Sequence, residues 1–86
     1  MLDFDIYPII AAVRNEEDFN SALTADIQAI FLLDSSILTV ESCVERAHKN
    51  NKLLYLHMDF VQGISNDAAG VKYLASKGID GVISTR

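Results

Sequence analysis

Four short apolar runs, each closed by polar residues, divide the chain. Ile9-Ile10-Ala11-Ala12-Val13 gives way to Arg14-Asn15, Ala29-Ile30-Phe31-Leu32-Leu33 to Asp34-Ser35-Ser36, Leu53 to Met58 to Asp59, and Ile79-Asp80-Gly81-Val82-Ile83 to Ser84-Thr85-Arg86. Continuous apolar runs of this length predict strands covered on both faces. Pro8 stands at the head of the first, where a missing N–H is tolerated. Between the runs, apolar residues recur at helical spacing. Phe19, Ala22 and Leu23 share one face of a first helix, Val40, Cys43, Val44 and Ala47 of a second, and Ala68, Val71, Leu74 and Ala75 of a third.

The helix boundaries carry their own signals. Asn15 precedes Glu16, Glu17 and Asp18, an N-cap followed by acids in the positive first turn. Thr39 and Asp67 are placed to cap the second and third helices, Gly78 supplies a left-handed exit from the third, and Gly63 allows a turn in the loop from Asp59 to Asn66.

The repeat of strand, polar ending and amphipathic helix predicts an α/β fold of parallel (β/α) units, joined by right-handed crossovers in the strand order 1-2-3-4. A doubly wound sheet is the alternative. Polar residues at the end of every strand favour a barrel, because barrels gather their ligand-binding groups at the carboxyl ends of all their strands. Four strands do not close, and a complete barrel takes about 250 residues. The expectation is a single (β/α)4 segment over residues 1–86, half of a TIM-barrel-like fold that stops after its fourth strand.

Composition narrows the function classes. With 86 residues, half of them apolar and 22% charged, the chain suits one small globular domain. Its net charge of −5 repels a nucleic-acid backbone at long range, so any such contact must be local. Asp3 and Asp5 stand where a signal peptide needs bases, and no apolar run nears the ~20 residues of a membrane helix. A cytoplasmic protein with no membrane partner is expected. Cys43 is the single cysteine, which excludes an internal disulfide, and its helix face assigns it to core packing. Arg46, His48, Lys49 and Lys52 read as the basic, solvated end of the second helix rather than as a nucleic-acid patch.

The third strand holds the candidate chemistry. His57 and Asp59 are two residues apart, which on an extended strand aims both to the face of Leu53 and Tyr55. Beside Asp34 of the neighbouring strand they can hold a polar ligand, a divalent metal, or an acid/base pair in which Asp59 sets the imidazole tautomer. The bland reading is a hydrogen-bonded polar layer over the core. A metal is disfavoured, because two or three candidate ligands do not make a cluster. Arg14 and Arg86 end the first and fourth strands, where a guanidinium can meet a phosphate or carboxylate, or pair with Asp34 or Asp59. Gln62 opens a loop leading to a helix N-terminus, a setting for an anion that Asp67 opposes. No serine, histidine and acid spacing points to a nucleophile.

Taken together, the strand ends resemble a known family. Pro8-Ile9-Ile10-Ala11-Ala12-Val13-Arg14-Asn15, Leu33-Asp34, His57-Met58-Asp59-Phe60-Val61-Gln62-Gly63-Ile64 and Gly81-Val82-Ile83-Ser84-Thr85-Arg86, with Asp67 and Gly70, are similar to the amino-terminal half of the glycerol-3-phosphate-responsive antiterminators. The resemblance implies a TIM-barrel-like bacterial regulator, not an enzyme, that senses glycerol 3-phosphate and binds leader messenger RNA to promote antitermination of glycerol uptake genes. It implies ligand contacts from Arg14, Asp34, His57, Asp59, Gln62 and Arg86, and no cofactor. Such proteins are longer, and the Gly-rich loops that bind phosphate in the second half of a TIM barrel are absent here. Two alternatives stand beside it: a TIM-barrel-like enzyme acting on a small phosphorylated substrate with His57 and Asp59 as acid and base, and an inactive fragment. Open strand edges also suggest a homodimer that completes the barrel.

Overall fold

A computed structural model describes residues 10–84; Pro8, Ile9, Thr85 and Arg86 lie outside that range. The elements are β1 (Ile10–Val13), α1 (Glu16–Leu23), β2 (Ala29–Leu32), β3 (Ser35–Ser36), α2 (Val40–Lys49), β4 (Leu53–His57), a 3-10 turn (Met58–Phe60), β5 (Val61–Gln62), α3 (Ala68–Ser76) and β6 (Gly81–Ile83). β1, β2, β4 and β6 form a parallel sheet in that order, and β3 pairs with β5 in a separate two-stranded ladder. That small ladder has no signal in the sequence. Ser35-Ser36 and Val61-Gln62 are too short to show a period, and only the fold brings them together.

The core lies on one side of the sheet. Val13, Ile30, Leu32, Leu54 and Leu56 are buried against Phe19 and Ala22 of α1, Val40, Cys43, Val44 and Ala47 of α2, and Leu74 of α3. The register places Ile10 level with Ala29 and Leu53, and Ala12 level with Phe31, Tyr55 and Gly81, so these residues share the opposite face. That face is only partly covered: Ala29 is buried and Phe31 and Tyr55 are half-buried, but Ile10, Ala12, Leu53 and Ile83 are exposed. The expectation of strands covered on both faces holds for β2, where Ala29 and Ile30 are both buried, and fails at β1, Leu53 and Ile83. An apolar run reports that both faces avoid water in the finished protein, and it does not say which chain covers them.

Two local expectations need correction. Thr39 occupies the N-cap position of α2, but its side chain makes no capping bond; its hydroxyl donates to the Ser36 carbonyl at 3.2 Å. In α3 the buried residues are Gly70 and Leu74, whereas Ala68, Val71 and Ala75 are exposed. A helix seated through a glycine approaches its neighbours along that glycine's face, which turns the apolar side chains of the predicted stripe outward. The other signals hold. Asn15 accepts from the Asp18 N–H and Asp67 from the Gly70 N–H, each at 2.8 Å, and Gly78 leaves α3 at φ +94°.

The basic end of α2 is built into the fold. The Arg46 guanidinium lies 4.7 Å from the Phe19 ring centre and donates to Glu16 and Asn20, and Lys52 donates to the Ile27 carbonyl at 3.1 Å. His48 meets Asp80 at 2.7 Å.

Candidate functional site

The polar strand endings gather at the carboxyl edge of the sheet in two groups, with His57 between them. On one side Arg14, just past β1, reaches Asp34, just past β2, at 3.5 Å, and both side chains remain open to solvent. His57 ends β4. Its ring lies nearly parallel to Phe31, 6.1 Å away with 9° between planes, and is tilted against Phe60 at 4.7 Å. A cavity of about 300 Å³ is lined by Arg14, Leu33, Asp34, His57 and Phe60.

Asp59 joins from the other side, by a route the sequence spacing does not describe. The chain leaves the strand at His57 and enters the 3-10 turn, so Asp59 is carried by a turn and not by an extended segment. The two side chains are 12% and 13% exposed, with His57 Nδ1 3.8 Å from Asp59 Oδ2. That distance allows attraction but is too long for a hydrogen bond, so Asp59 does not hold the imidazole tautomer through one. Asp59 Oδ1 accepts from Asn66 Nδ2 at 2.6 Å and from the Ser84 hydroxyl at 3.4 Å, and Asn66 also donates to Ser84. His57 Nδ1 is buried without a hydrogen-bond partner. A buried ring nitrogen left unpaired costs stability, and this one looks toward Asp59, closed to solvent.

The remaining candidates fall elsewhere. Gln62 sits in β5 with an exposed side chain, and its carbonyl accepts from the Ile37 N–H. Arg86 lies outside the described residues. Among the described residues no group of three His, Cys, Asp or Glu side chains is arranged to hold a metal ion, so Asp34, His57 and Asp59 do not form one. Phe31 and Phe60 against the His57 ring, and Asn66 on Asp59, complete the arrangement; in the sequence Phe31 is one residue of an apolar run and Phe60 and Asn66 lie in a loop, the one signal being an aromatic residue three positions after a strand-ending histidine.

A smaller cavity of about 140 Å³ lies beside the first, sharing Arg14 and Asp34 and reaching Phe19, Leu32, Ser35 and Cys43. Burial pushes the Cys43 thiol above its ordinary range, Arg46 partly offsets this, and Glu16 adds to it. The thiol is thus kept neutral, as a packing group is.

Such an arrangement can bind a small polar molecule. A guanidinium at the rim offers paired donors to an anion, a carboxylate offers a hydroxyl partner, and Leu33 and Phe60 form apolar walls.

Comparison with known proteins places this geometry. Residues 9–86 match the family described as glycerol-3-phosphate responsive antiterminator. A glycerol uptake operon antiterminator regulatory protein from Listeria monocytogenes is 31% identical and superposes with a TM-score of 0.86, over 99% of this chain and 46% of that one. A glycerol uptake operon antiterminator-related protein from Thermotoga maritima is 25% identical with a TM-score of 0.78, over 92% of this chain and 44% of its own length. The protein YgcP of Escherichia coli is 30% identical across 80 residues, which is 92% of this chain and 42% of YgcP. The chain thus spans less than half the length of the relatives it matches.

Proposed function

This chain belongs to the glycerol-3-phosphate responsive antiterminator family, and from that premise we propose that it forms the amino-terminal half of a TIM-barrel-like cytoplasmic regulator. The regulator senses glycerol 3-phosphate and binds leader messenger RNA to promote antitermination of glycerol uptake genes. The names of the family and of its solved members indicate a regulator of gene expression rather than an enzyme.

The observation that carries the effector reading is the cavity between Arg14, Asp34 and His57 at the carboxyl ends of three parallel strands, where barrels take their ligands. Glycerol 3-phosphate carries an anionic phosphate and two hydroxyls. Arg14 suits the phosphate and Asp34 the hydroxyls, with the His57 ring at the cavity wall. Asp59 flanks the cavity through His57; Gln62 and Arg86 stay in the proposed contact set on the family resemblance alone. An acid/base role for His57 and Asp59 gains no support, since no hydrogen bond joins them. With a net charge of −5, RNA contact must be confined to a local surface.

Amide NMR of the chain during addition of glycerol 3-phosphate tests the site, with glycerol and inorganic phosphate as separate arms. Shifts at Arg14, Asp34, His57 and Phe60 with the phosphorylated triol alone are expected. No shift at millimolar ligand, or the same shifts with inorganic phosphate, overturns the assignment. Filter binding of leader RNA with and without the effector tests the second half of the proposal, which fails if no RNA is retained at low salt in either case.

A further inference from the structure

Asn66 lies half-buried in the loop between β5 and α3, and its side-chain amide joins two strand endings. Nδ2 donates to Asp59 Oδ1 at 2.6 Å and to the Ser84 hydroxyl at 3.1 Å. One residue thus ties the 3-10 turn after β4 to the position that follows β6, the strand beside it in the sheet. With Oδ1 held, the second carboxylate oxygen, Oδ2, faces the imidazole 3.8 Å from His57 Nδ1. Phe31 lies nearly parallel to the ring and Phe60 tilts against it, so packing fixes the plane that Oδ2 meets.

A neutral imidazole carries its proton on one nitrogen and a lone pair on the other. No hydrogen bond makes that choice here, and the field of the carboxylate does. An N–H turned toward Oδ2 is attracted and a lone pair is repelled. The two side chains are only 12% and 13% exposed, so water screens the difference weakly. Among the described residues the other charges around the cavity are Arg14 and Asp34, which face each other at 3.5 Å and largely cancel at the ring. His57 lines the cavity with Nδ1 turned to Asp59 and closed to solvent, which leaves Nε2 as the nitrogen that meets the cavity.

We propose, resting on the effector reading of this cavity, that Asn66 is a positioning residue: by orienting Asp59 it sets the His57 proton on Nδ1 and presents Nε2 as a hydrogen-bond acceptor. An acceptor at that wall takes a hydroxyl hydrogen and rejects an ionised phosphate oxygen, which has no hydrogen to give. The two ends of the cavity therefore differ in what they take. The Arg14 end receives an anion and the His57 end a hydroxyl, so the ligand class is a short phosphate ester with a free hydroxyl, bound in one orientation.

The tautomer is read without ligand, from long-range proton–nitrogen correlation spectra of the imidazole in the 86-residue chain, above the pH range in which histidines ionise. In water a free histidine side chain prefers its proton on Nε2. The expected result is therefore distinctive: Nδ1–H is the major form, and Nε2–H as the major form overturns the proposal. Asn66→Leu keeps the bulk of the amide and removes its donors. It is expected to move the ratio about threefold or more toward Nε2–H with an unchanged far-ultraviolet spectrum; an unchanged ratio in the folded variant overturns the role of Asn66. Asp59→Asn turns an amide N–H₂ toward Nδ1 in place of Oδ2 and is expected to transfer the proton to Nε2. A proton that stays on Nδ1 there overturns the proposal even where Asn66→Leu does not fold. Propyl phosphate, which is glycerol 3-phosphate without its hydroxyls, is expected to bind roughly tenfold more weakly than glycerol 3-phosphate, and equal affinity overturns the assignment of a hydroxyl to Nε2. Binding of neither ester overturns the effector reading, while the tautomer spectra, which need no ligand, still decide the role of Asn66.

Discussion

His57 and Asp59 face each other across 3.8 Å at the end of β4, nearly buried, without a hydrogen bond between them. Asp59 is held instead by Asn66 and Ser84, and the imidazole is held by ring contacts with Phe31 and Phe60. The two side chains make no hydrogen bond with each other, and the imidazole Nδ1 is left unsatisfied. Replacing the ring with one of similar shape and no nitrogen should separate the two roles. His57→Phe is expected to leave stability unchanged or raise it by about 1 kcal/mol, since it removes an unpaired buried polar atom, while the response to glycerol 3-phosphate is lost. Urea unfolding and the NMR titration read the two effects. A loss of stability instead would show that the imidazole nitrogen is engaged in the fold.

Asp80 performs the structural task that His57 does not. Its Oδ2 accepts from the buried Leu54 N–H and meets His48 Nε2, each at 2.7 Å, tying the end of α2 to the start of β4. Asp80→Ala leaves the Leu54 N–H unpaired and should cost about 1–3 kcal/mol. His48→Ala breaks only the partly exposed contact and should cost no more than about 1 kcal/mol. Equal losses in urea unfolding would mean that the ion pair, not the backbone bond, carries the effect.

Gly70 is where α3 meets the loop before it. A Cβ added there would stand 2.1 Å from the Ser65 carbonyl oxygen and 3.1 Å from the Met58 methyl carbon. Gly to Ala in a helix interior normally gains about 0.5–1 kcal/mol. Gly70→Ala should instead lower stability by about 1–3 kcal/mol through displacement of α3, visible as a lower thermal midpoint; a higher midpoint would place the loop elsewhere.

Cys43 should behave as a core atom. Its thiol is buried and its ionisation pushed up, so a thiol reagent is expected to label it at the rate of unfolding and not before. The unfolded thiol ionises at lower pH than the folded one, so between the two ranges the folded chain keeps a proton that the unfolded chain has released. The stability from this group is therefore complete below the unfolded thiol's range and declines as pH climbs through it. Urea midpoints on either side of that range, in the native chain and in Cys43→Ala, read the difference: only the native chain should show this component of the decline.

Much of the architecture was legible because it depends on local rules. Apolar runs marked the four main strands, and the stripe of Val40, Cys43, Val44 and Ala47 marked a helix whose four residues are all buried. Asn15 and Asp67 capped as their chemistry predicts. Thr39 did not, because its hydroxyl had a nearer carbonyl at Ser36, a competition no spacing reveals. The stripe on α3 misled because Gly70, an unremarkable position in a hydrophobicity pattern, set which face could approach the core.

By itself the sequence determined the alternation of strand and helix, the parallel sheet that such alternation requires, and the placing of Arg14, Asp34, His57 and Asp59 at strand ends. These follow from side-chain period and backbone preference, which act within a few residues. Tertiary structure alone decided which of them meet. It drew Arg14, Asp34 and His57 around one cavity, carried Asp59 off the strand into a turn, and paired Ser35-Ser36 with Val61-Gln62. It also left one side of the sheet only partly covered, because an apolar residue specifies that water must be excluded and only assembled surfaces specify what excludes it.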